Sequence, residues 1–356
     1  MAHQERCLVI GGNGFLGRHI VEDLIAKGKK VAVFDINKSA AYDEVKVLKD
    51  NVKSFYKGSI NNKEVRNVVG VDDFMVEFQV SVVYHTASPS AFAPADILKL
   101  VNIDGTKTLL EACREVESVK VFVLISSASV VYEGKDVNNV DETAPYALKG
   151  YNPYTDTKIE QEKIVLRENK KAQFMTVSIR PASIFGEWDP LLLPQVAQHR
   201  PKFFVGTGLN KMDFTYAKNI SHACMLAVDN IENVNGEAFF ITNDDAVSFW
   251  GFLGDMLTDI GYERPYIRVP ASIIYVVGLI VWFFCFVLNT LSFGNLNLQV
   301  PTPISSDKLA YFTTERRFSC NKAKKRIGYK PLYNMEQARR RTTEWYKNEF
   351  MDKKNK

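Results

Sequence analysis

The sequence predicts an α/β fold: a doubly wound parallel sheet followed by a smaller lobe. Three observations carry that prediction. Apolar runs of strand length alternate with amphipathic stretches of helix length through the first half of the chain. The first run, Cys7-Leu8-Val9-Ile10, opens directly into Gly11-Gly12-Asn13-Gly14-Phe15-Leu16-Gly17. The second, Val31-Ala32-Val33-Phe34, ends in an acid, Asp35, eighteen positions beyond Gly17.

The first segment reads as a buried strand, a tight turn and a helix opening. Gly11, Gly14 and Gly17 let the backbone turn sharply, approach a pyrophosphate closely and pack the helix on the sheet. Asn13, Phe15 and Leu16 complete the turn, and the helix N-terminus offers free amides and a partial positive charge to the phosphates. Asp35 is placed to accept hydrogen bonds from the adenosine ribose hydroxyls. Its carboxylate repels a 2′-phosphate, which selects NAD, although Lys38 three residues on softens the discrimination. The expected domain is therefore Rossmann-type.

Further elements follow in order. A strand lies near 52–56, and Val82-Val83-Tyr84-His85 and Val121-Phe122-Val123-Leu124-Ile125 read as buried parallel strands. Between those two, apolar positions 97, 98, 101, 109, 110 and 113 predict a helix over about 96–116. A helix over 153–168 and a strand at Thr176-Val177-Ser178-Ile179 complete the alternation. Beyond Arg180-Pro181 the pattern changes: 187–215 is loop-like, Phe239-Phe240-Ile241 reads as a late strand, and Phe249 to Ile260 as a helix. The expected division is an NAD-binding domain at 1–186 and a substrate-binding lobe at 187–356.

Composition narrows the function classes. Hydrophobic residues make up 46% of 356, ample for a core, and a formal charge of +4 is too mild for a nucleic-acid binder. Basic residues gathered between 316 and 341 read as a solvated helix face, with an anionic membrane surface as the alternative. Cysteines 7, 113, 224, 285 and 320 show no paired spacing, which argues against a disulfide framework and against a metal site, and for a reducing compartment. A strand beginning at residue 7 leaves no room for a secretory signal peptide.

One segment stands apart. From Val269 to Ser306 no residue is charged, and Ile273 to Leu288 is apolar except for Gly278 and Tyr275. Sixteen helical residues span about 24 Å, and extension to Phe293 suffices for a hydrocarbon layer of roughly 30 Å. We expect 271–293 to contact a membrane rather than to form a buried core helix.

The chemistry is expected at Tyr154 and Lys158, four apart and so on one helix face. A phenol is a poor base at neutral pH, and a nearby ammonium favours the phenolate. Lys158 can also hold a nicotinamide ribose. The pair suits removal of a proton from an alcohol while hydride leaves its carbon. It follows a buried strand ending Ile125-Ser126-Ser127-Ala128-Ser129, and active sites in such sheets lie at strand carboxyl ends. A serine there can donate to the substrate oxygen, whereas Ser126 and Ser129 read as strand-end caps.

Together the glycine turn, the strand-end serine and the Tyr/Lys pair resemble the extended short-chain dehydrogenase/reductase family. Asn102-Ile103-Asp104-Gly105-Thr106 is similar to the helix motif whose asparagine supports a catalytic water. Arg180-Pro181-Ala182-Ser183-Ile184-Phe185-Gly186 is similar to the segment against the nicotinamide, and Asn321 through Pro331 to the closing motif. Within that family the chain looks most like the 3β-hydroxysteroid dehydrogenases, through Ser126 to Val130, Tyr154 to Lys158, Asp213-Phe214-Thr215 and Phe239 to Asp244. The resemblance makes Tyr154 the base, Lys158 its partner and ribose ligand, and Ser127 the donor to the substrate hydroxyl. It adds Ser59, Ile60, Ala87, Asn102 and Pro181 to the cofactor contacts. Two departures are visible: Gly58-Ser59-Ile60 stands where an acid usually follows the glycine, and His85-Thr86-Ala87-Ser88 replaces an alanine pair.

The resemblance implies NAD-dependent oxidation of a sterol or steroid 3β-hydroxyl to a ketone. Loss of a 4α-carboxylate as carbon dioxide is the expected second step, Δ5–Δ4 isomerisation the alternative, and a non-catalytic, cofactor-sensing lipid-surface protein the third reading. It also implies a homodimer formed through 96–116 and 153–168. A lipid-soluble substrate gives the apolar segment a purpose. Because the closing motif belongs on the cofactor fold, we expect a helix or hairpin embedded in the cytosolic leaflet of the endoplasmic reticulum, or of a lipid droplet, over a full crossing. Lys353 and Lys354 match a dilysine retrieval signal.

Overall fold

Seven strands, most of them rich in apolar residues, pair side by side in the computed structural model, which describes residues 5–37, 52–61, 71–170, 173–292, 296, 298 and 306–351. The first half runs β1 (Arg6–Ile10), α1 (Phe15–Ala26), β2 (Lys30–Asp35), β3 (Val52–Lys57), α2 (Val71–Phe78), β4 (Val82–His85) and α3 (Ala95–Lys99). A π-helical turn over Leu100–Gly105 leads into α4 (Thr106–Glu115), then β5 (Val121–Ile125), β6 (Val137–Val140), α5 (Pro153–Arg167) and β7 (Met175–Pro181). The second half runs β8 (Ser183–Phe185), α6 (Leu192–His199), β9 (Phe203–Val205), β10 (Lys211–Met212), β11 (Phe214–Tyr216), α7 (Ala217–Asp229), α8 (Ile231–Val234), β12 (Glu237–Ile241) and β13 (Val247–Ser248). It ends with α9 (Phe249–Asp259), β14 (Ile267–Val269), α10 (Ala271–Leu291), α11 (Ser306–Thr313), β15 (Arg316–Phe318), α12 (Asn321–Ile327) and α13 (Met335–Tyr346).

The main sheet has the order β3-β2-β1-β4-β5-β7-β12, parallel throughout. Successive residues of a strand face opposite sides, and both sides here are covered. Cys7, Val9, Val31, Val33, Val123 and Val177 share a buried cluster with residues of α1 and α7. Leu8, Ile10, Ala32, Phe34, Phe122 and Leu124 share the other with residues of α4. The chain moves outward in one direction from β1 to β3 and in the other from β4 onward. That reversal opens a crevice at the carboxyl ends of β1 and β4, the position where such sheets take ligands.

The chain beyond 187 supplies parts of two regions. It gives the main sheet its seventh strand, β12, and places Ala323, Ile327 and Tyr329 in the cluster that holds Val9 and Val33. The remainder builds a second core around Phe185, Phe214, Tyr216, Phe249, Phe252 and Met335, beside the four-stranded sheet β13-β10-β15-β6. The stretch 187–215, expected to be loop-like, contains α6 and three short strands. Its density of proline and glycine conceals them: Pro194 sits in the first turn of α6, where a missing N–H breaks no helical bond, and Leu193 and Ala197 bury one face.

The apolar segment is one unbroken helix. α10 has 21 residues, a mean hydropathy of 2.6 over its most apolar window, and 6% of that window buried. Its length of about 32 Å matches a hydrocarbon layer of roughly 30 Å. Gly278 is its one buried residue, while Trp282, Phe283 and Phe284 are 54%, 56% and 59% exposed. A core helix would be covered by the rest of the chain, and the described residues leave this one uncovered. Phe293 of the expected segment, Lys38, Lys353 and Lys354 lie outside the described residues.

Candidate active site

The crevice is lined by backbone. Gly11 leaves β1 at φ +79°, a conformation only glycine adopts freely, and a Cβ there would meet the Ala87 nitrogen at 2.8 Å. A Cβ on Gly17 would stand 2.1 Å from the Gly11 carbonyl oxygen, so α1 is pressed against the turn with no room for a side chain. Gly14 precedes α1 in extended conformation with no side-chain cap, leaving first-turn amides from Phe15 and Leu16 onward available to a ligand. Asp35 ends β2 and braces the turn, its carboxylate accepting from the Asn13 N–H at 3.0 Å and the Asn37 N–H at 3.2 Å. Burial raises its pKa, with those amides opposing.

Ser59 and the buried Ile60 follow β3, where the Gly58 N–H donates to the Asp35 carbonyl. Ala87 follows β4 beside Gly11, and Pro181 ends β7. The sequence-named contacts thus gather at the carboxyl ends of neighbouring strands. A cradle kept clear by glycine, unfilled helix amides and an acid at the second strand fit a dinucleotide. Asn102 lies on the π-helical turn, and its carboxamide nitrogen donates to Thr157 Oγ1 at 3.0 Å, tying that turn to α5.

The reactive side chains meet beyond β5. Ser127 is extended and caps a short turn at Ala128–Val131, its Oγ accepting from the Ser129 N–H at 3.1 Å and sharing a hydrogen bond with Ser129 Oγ at 2.9 Å. Capping, expected of its neighbours, is done by Ser127 itself. Asn152 caps α5 by accepting from the Thr155 N–H at 2.9 Å, with Pro153 opening the helix. That start places Tyr154 close enough to Ser127 for the serine hydroxyl to lower the phenol's pKa, and puts Lys158 one turn on. The Lys158 Nζ donates to the Ile125 carbonyl at 2.7 Å and to Gln161 Oε1 at 2.6 Å.

The electrostatics differ from the expectation of an acidified phenol. Burial pushes Tyr154 up to about 12, and the Ser127 hydrogen bond only partly offsets it. Burial also pushes Lys158 down to about 7, with the Glu162 carboxylate opposing. Spacing on a helix reveals that two groups are neighbours but not how dry their surroundings are. Desolvation wins over the pairing in this chain.

Several supporting residues escaped the sequence reading. Gln161 is fully buried, and its Nε2 donates to Thr106 Oγ1 at 2.9 Å and lies 3.2 Å from His85 Nε2. Burial, then the nearby Lys158, pushes His85 down to about 3, so the ring is neutral. Glu162 accepts from Arg180 at 2.6 Å, Ser178 at 2.6 Å and Tyr146 at 2.8 Å. Burial raises this carboxyl, but Arg180 and the hydroxyl of Ser178 outweigh it and the net shift is downward. Gln161 sits three residues after Lys158 on the same face, a signal that was present. Its partners on β4 and α4 were not predictable from spacing.

A sequence model of the 3-beta hydroxysteroid dehydrogenase/isomerase family matches residues 8–271. The chain is 37% identical to mouse sterol-4-alpha-carboxylate 3-dehydrogenase (decarboxylating), over 98% of this chain and 93% of that one. It is 36% identical to the human protein of the same name, over 96% and 88%. Among solved structures, a dTDP-glucose 4,6-dehydratase from Bacillus anthracis in complex with NAD superposes with a TM-score of 0.70, covering 97% of each chain at 22% identity. That likeness is one of fold.

Proposed function

The chain belongs to the 3-beta hydroxysteroid dehydrogenase/isomerase family, and from that premise we propose that it oxidises the 3β-hydroxyl of a 4α-carboxysterol with NAD and releases carbon dioxide. One observation carries the reading: Ser127, Tyr154 and Lys158 converge at the end of β5, two strands along the sheet from the glycine cradle. Bound NAD supplies the hydride acceptor. The cradle of Gly11, Asn13, Gly14, Phe15, Leu16 and Gly17 holds its pyrophosphate, Asp35 its adenosine ribose, and Lys158 its second ribose. Ser59, Ile60, Ala87, Asn102 and Pro181 line the remainder. Residues 1–186 carry most of this site, and 187–356 close the substrate cleft.

Tyr154, as phenolate, takes the proton of the 3-hydroxyl, and Ser127 donates to the same oxygen. The product ketone lies β to the carboxylate. The electrons of that carbon–carbon bond then move into the carbonyl, carbon dioxide leaves, and Ser127 and the protonated Tyr154 stabilise the enolate oxygen. Tyr154 returns its proton to the enolate carbon, which restores the phenolate. No further acid or base is needed. Because burial holds the phenol near 12, turnover rises with pH well into the alkaline range.

We infer that α10 lies embedded in the cytosolic leaflet of the endoplasmic reticulum membrane, where a sterol can be taken up without crossing water. Its exposed apolar surface supports this, as do exposed Phe203, Tyr266 and Ile267 beside its start. β14 immediately precedes α10, and α11 and β15 rejoin the folded body after it. The contacts of α11 with both α10 and β9 support a segment whose two ends stay on one side. Exposed Ile97 and Leu100 on the α3 side support homodimerisation through α3–α4 and α5.

The test is product analysis. Purified full-length protein, NAD and a 4α-carboxysterol should give NADH and the decarboxylated 3-ketone in equal amounts. Turnover confined to sterols lacking the carboxylate overturns the decarboxylase reading. A conjugated 3-keto-4-ene formed from a Δ5 steroid assigns the isomerase instead.

A further inference from the structure

We infer that Gln161 is a positioning residue whose carboxamide aims the Lys158 ammonium, an inference that rests on the dehydrogenase reading above. An ammonium has three N–H donors. Two are committed within the protein, to the Ile125 carbonyl at 2.7 Å and to Gln161 Oε1 at 2.6 Å. With two directions of a tetrahedral group fixed, the third is fixed as well. It is the one left for a ribose hydroxyl.

The aim depends on the carboxamide not flipping. Gln161 Nε2 donates to Thr106 Oγ1 at 2.9 Å and faces His85 Nε2 at 3.2 Å, and Thr106 Oγ1 meets the same ring nitrogen at 2.9 Å. Gln161, Thr106 and His85 are each 0% exposed. Reversing the amide would set its NH2 against the ammonium and its oxygen against His85, leaving two buried donors facing each other. The neutral imidazole completes the arrangement, its Nε2 within hydrogen-bonding distance of both Gln161 Nε2 and Thr106 Oγ1. Three elements cooperate here: α5 carries Gln161 and Lys158, β4 carries His85, and the end of the π-helical turn delivers Thr106.

The charged and titratable groups around Lys158 are few. Tyr154 shares its helix, Glu162 follows on the same helix and is neutralised by Arg180 from β7, and His85 faces it from β4 without charge. Nothing in this set passes a proton onward from Gln161, because a carboxamide and a neutral ring hold their protons at neutral pH. The network orients the ammonium and does not conduct.

The experiment compares Gln161→Met, Thr106→Val and Gln161→Glu in the full-length protein. Equilibrium binding of NADH is read by fluorescence without sterol, and the pH profile of kcat is read with it. Gln161→Met should weaken NADH binding about tenfold, the loss of one hydrogen bond to a charged group, and move the rising limb of kcat to higher pH. Thr106→Val should do the same to a lesser degree, because the carboxamide is freed but present. Gln161→Glu restores the acceptor and should return NADH binding to within about threefold of the starting protein. Unchanged NADH affinity and an unmoved pH profile in Gln161→Met overturn the inference. So does an equal loss in all three variants accompanied by a fall in Tm. If Gln161→Met fails to fold, Thr106→Val decides between the same outcomes. Failure of sterol oxidation with NADH binding still graded in this order overturns the substrate reading alone.

Discussion

Lys158, Gln161 and Glu162 on α5 are polar and buried, whereas Trp282, Phe283 and Phe284 on α10 are large, apolar and more than half exposed. Both helices break the usual sorting of residues by water, in opposite directions. On α5 the cost of burial is met by partners inside the chain: Ile125, Thr106, His85 and Arg180. On α10 no partner within the described residues covers the apolar surface. The lesson is that each departure marks a place where a second molecule would belong: a polar ligand at one helix and, in the function proposed above, a lipid layer at the other.

The contrast can be broken or sharpened experimentally. The largest effect is expected at the reacting atoms: Tyr154→Phe should lower sterol oxidation by about 10²–10⁴-fold while leaving flotation with lipid vesicles unchanged. Next, Glu162→Ala leaves Arg180 buried and unpaired and should cost about 3–5 kcal/mol in chemical denaturation. Lys158→Met should abolish activity and flatten the dependence of stability on pH. Burial lowers this lysine from 10.5 to about 7, so between those values the unfolded chain binds a proton that the folded chain has released. Stability therefore rises as pH climbs through that window, and the methionine variant should lose the slope. Ile280→Lys on α10 should leave denaturation in detergent within about 0.5 kcal/mol of the parent but weaken vesicle binding by about 2.5 kcal/mol. If Ile280→Lys instead unfolds the protein, α10 is a core helix and the comparison fails.

What could be read from the chain alone follows the range of the interactions. The glycine turn, Asp35 and the Tyr154–Lys158 spacing are local patterns, and the backbone places each where its pattern predicts. Strand composition likewise sufficed for the parallel sheet, since both faces must be apolar at once. Contacts that join distant elements were invisible: nothing about His85 or Thr106 announces that they meet Gln161. Nor does residue spacing report dielectric surroundings, which is why the phenol was expected to be acidic and burial makes it the reverse. Helix α6 was hidden for another reason, because a proline in a first turn looks the same in a sequence as one that breaks a helix.

Ala323, Ile327 and Tyr329 close the same cluster that Val9 and Val33 begin, and β12 and α12 pack together at its edge. Of these pieces, α12 and Tyr329 are encoded after α10. A growing polypeptide therefore releases its most apolar stretch from the ribosome before the first core can be sealed. Completion of the catalytic body waits until α10 has been made, and a message cut short after residue 291 yields a chain with an open core.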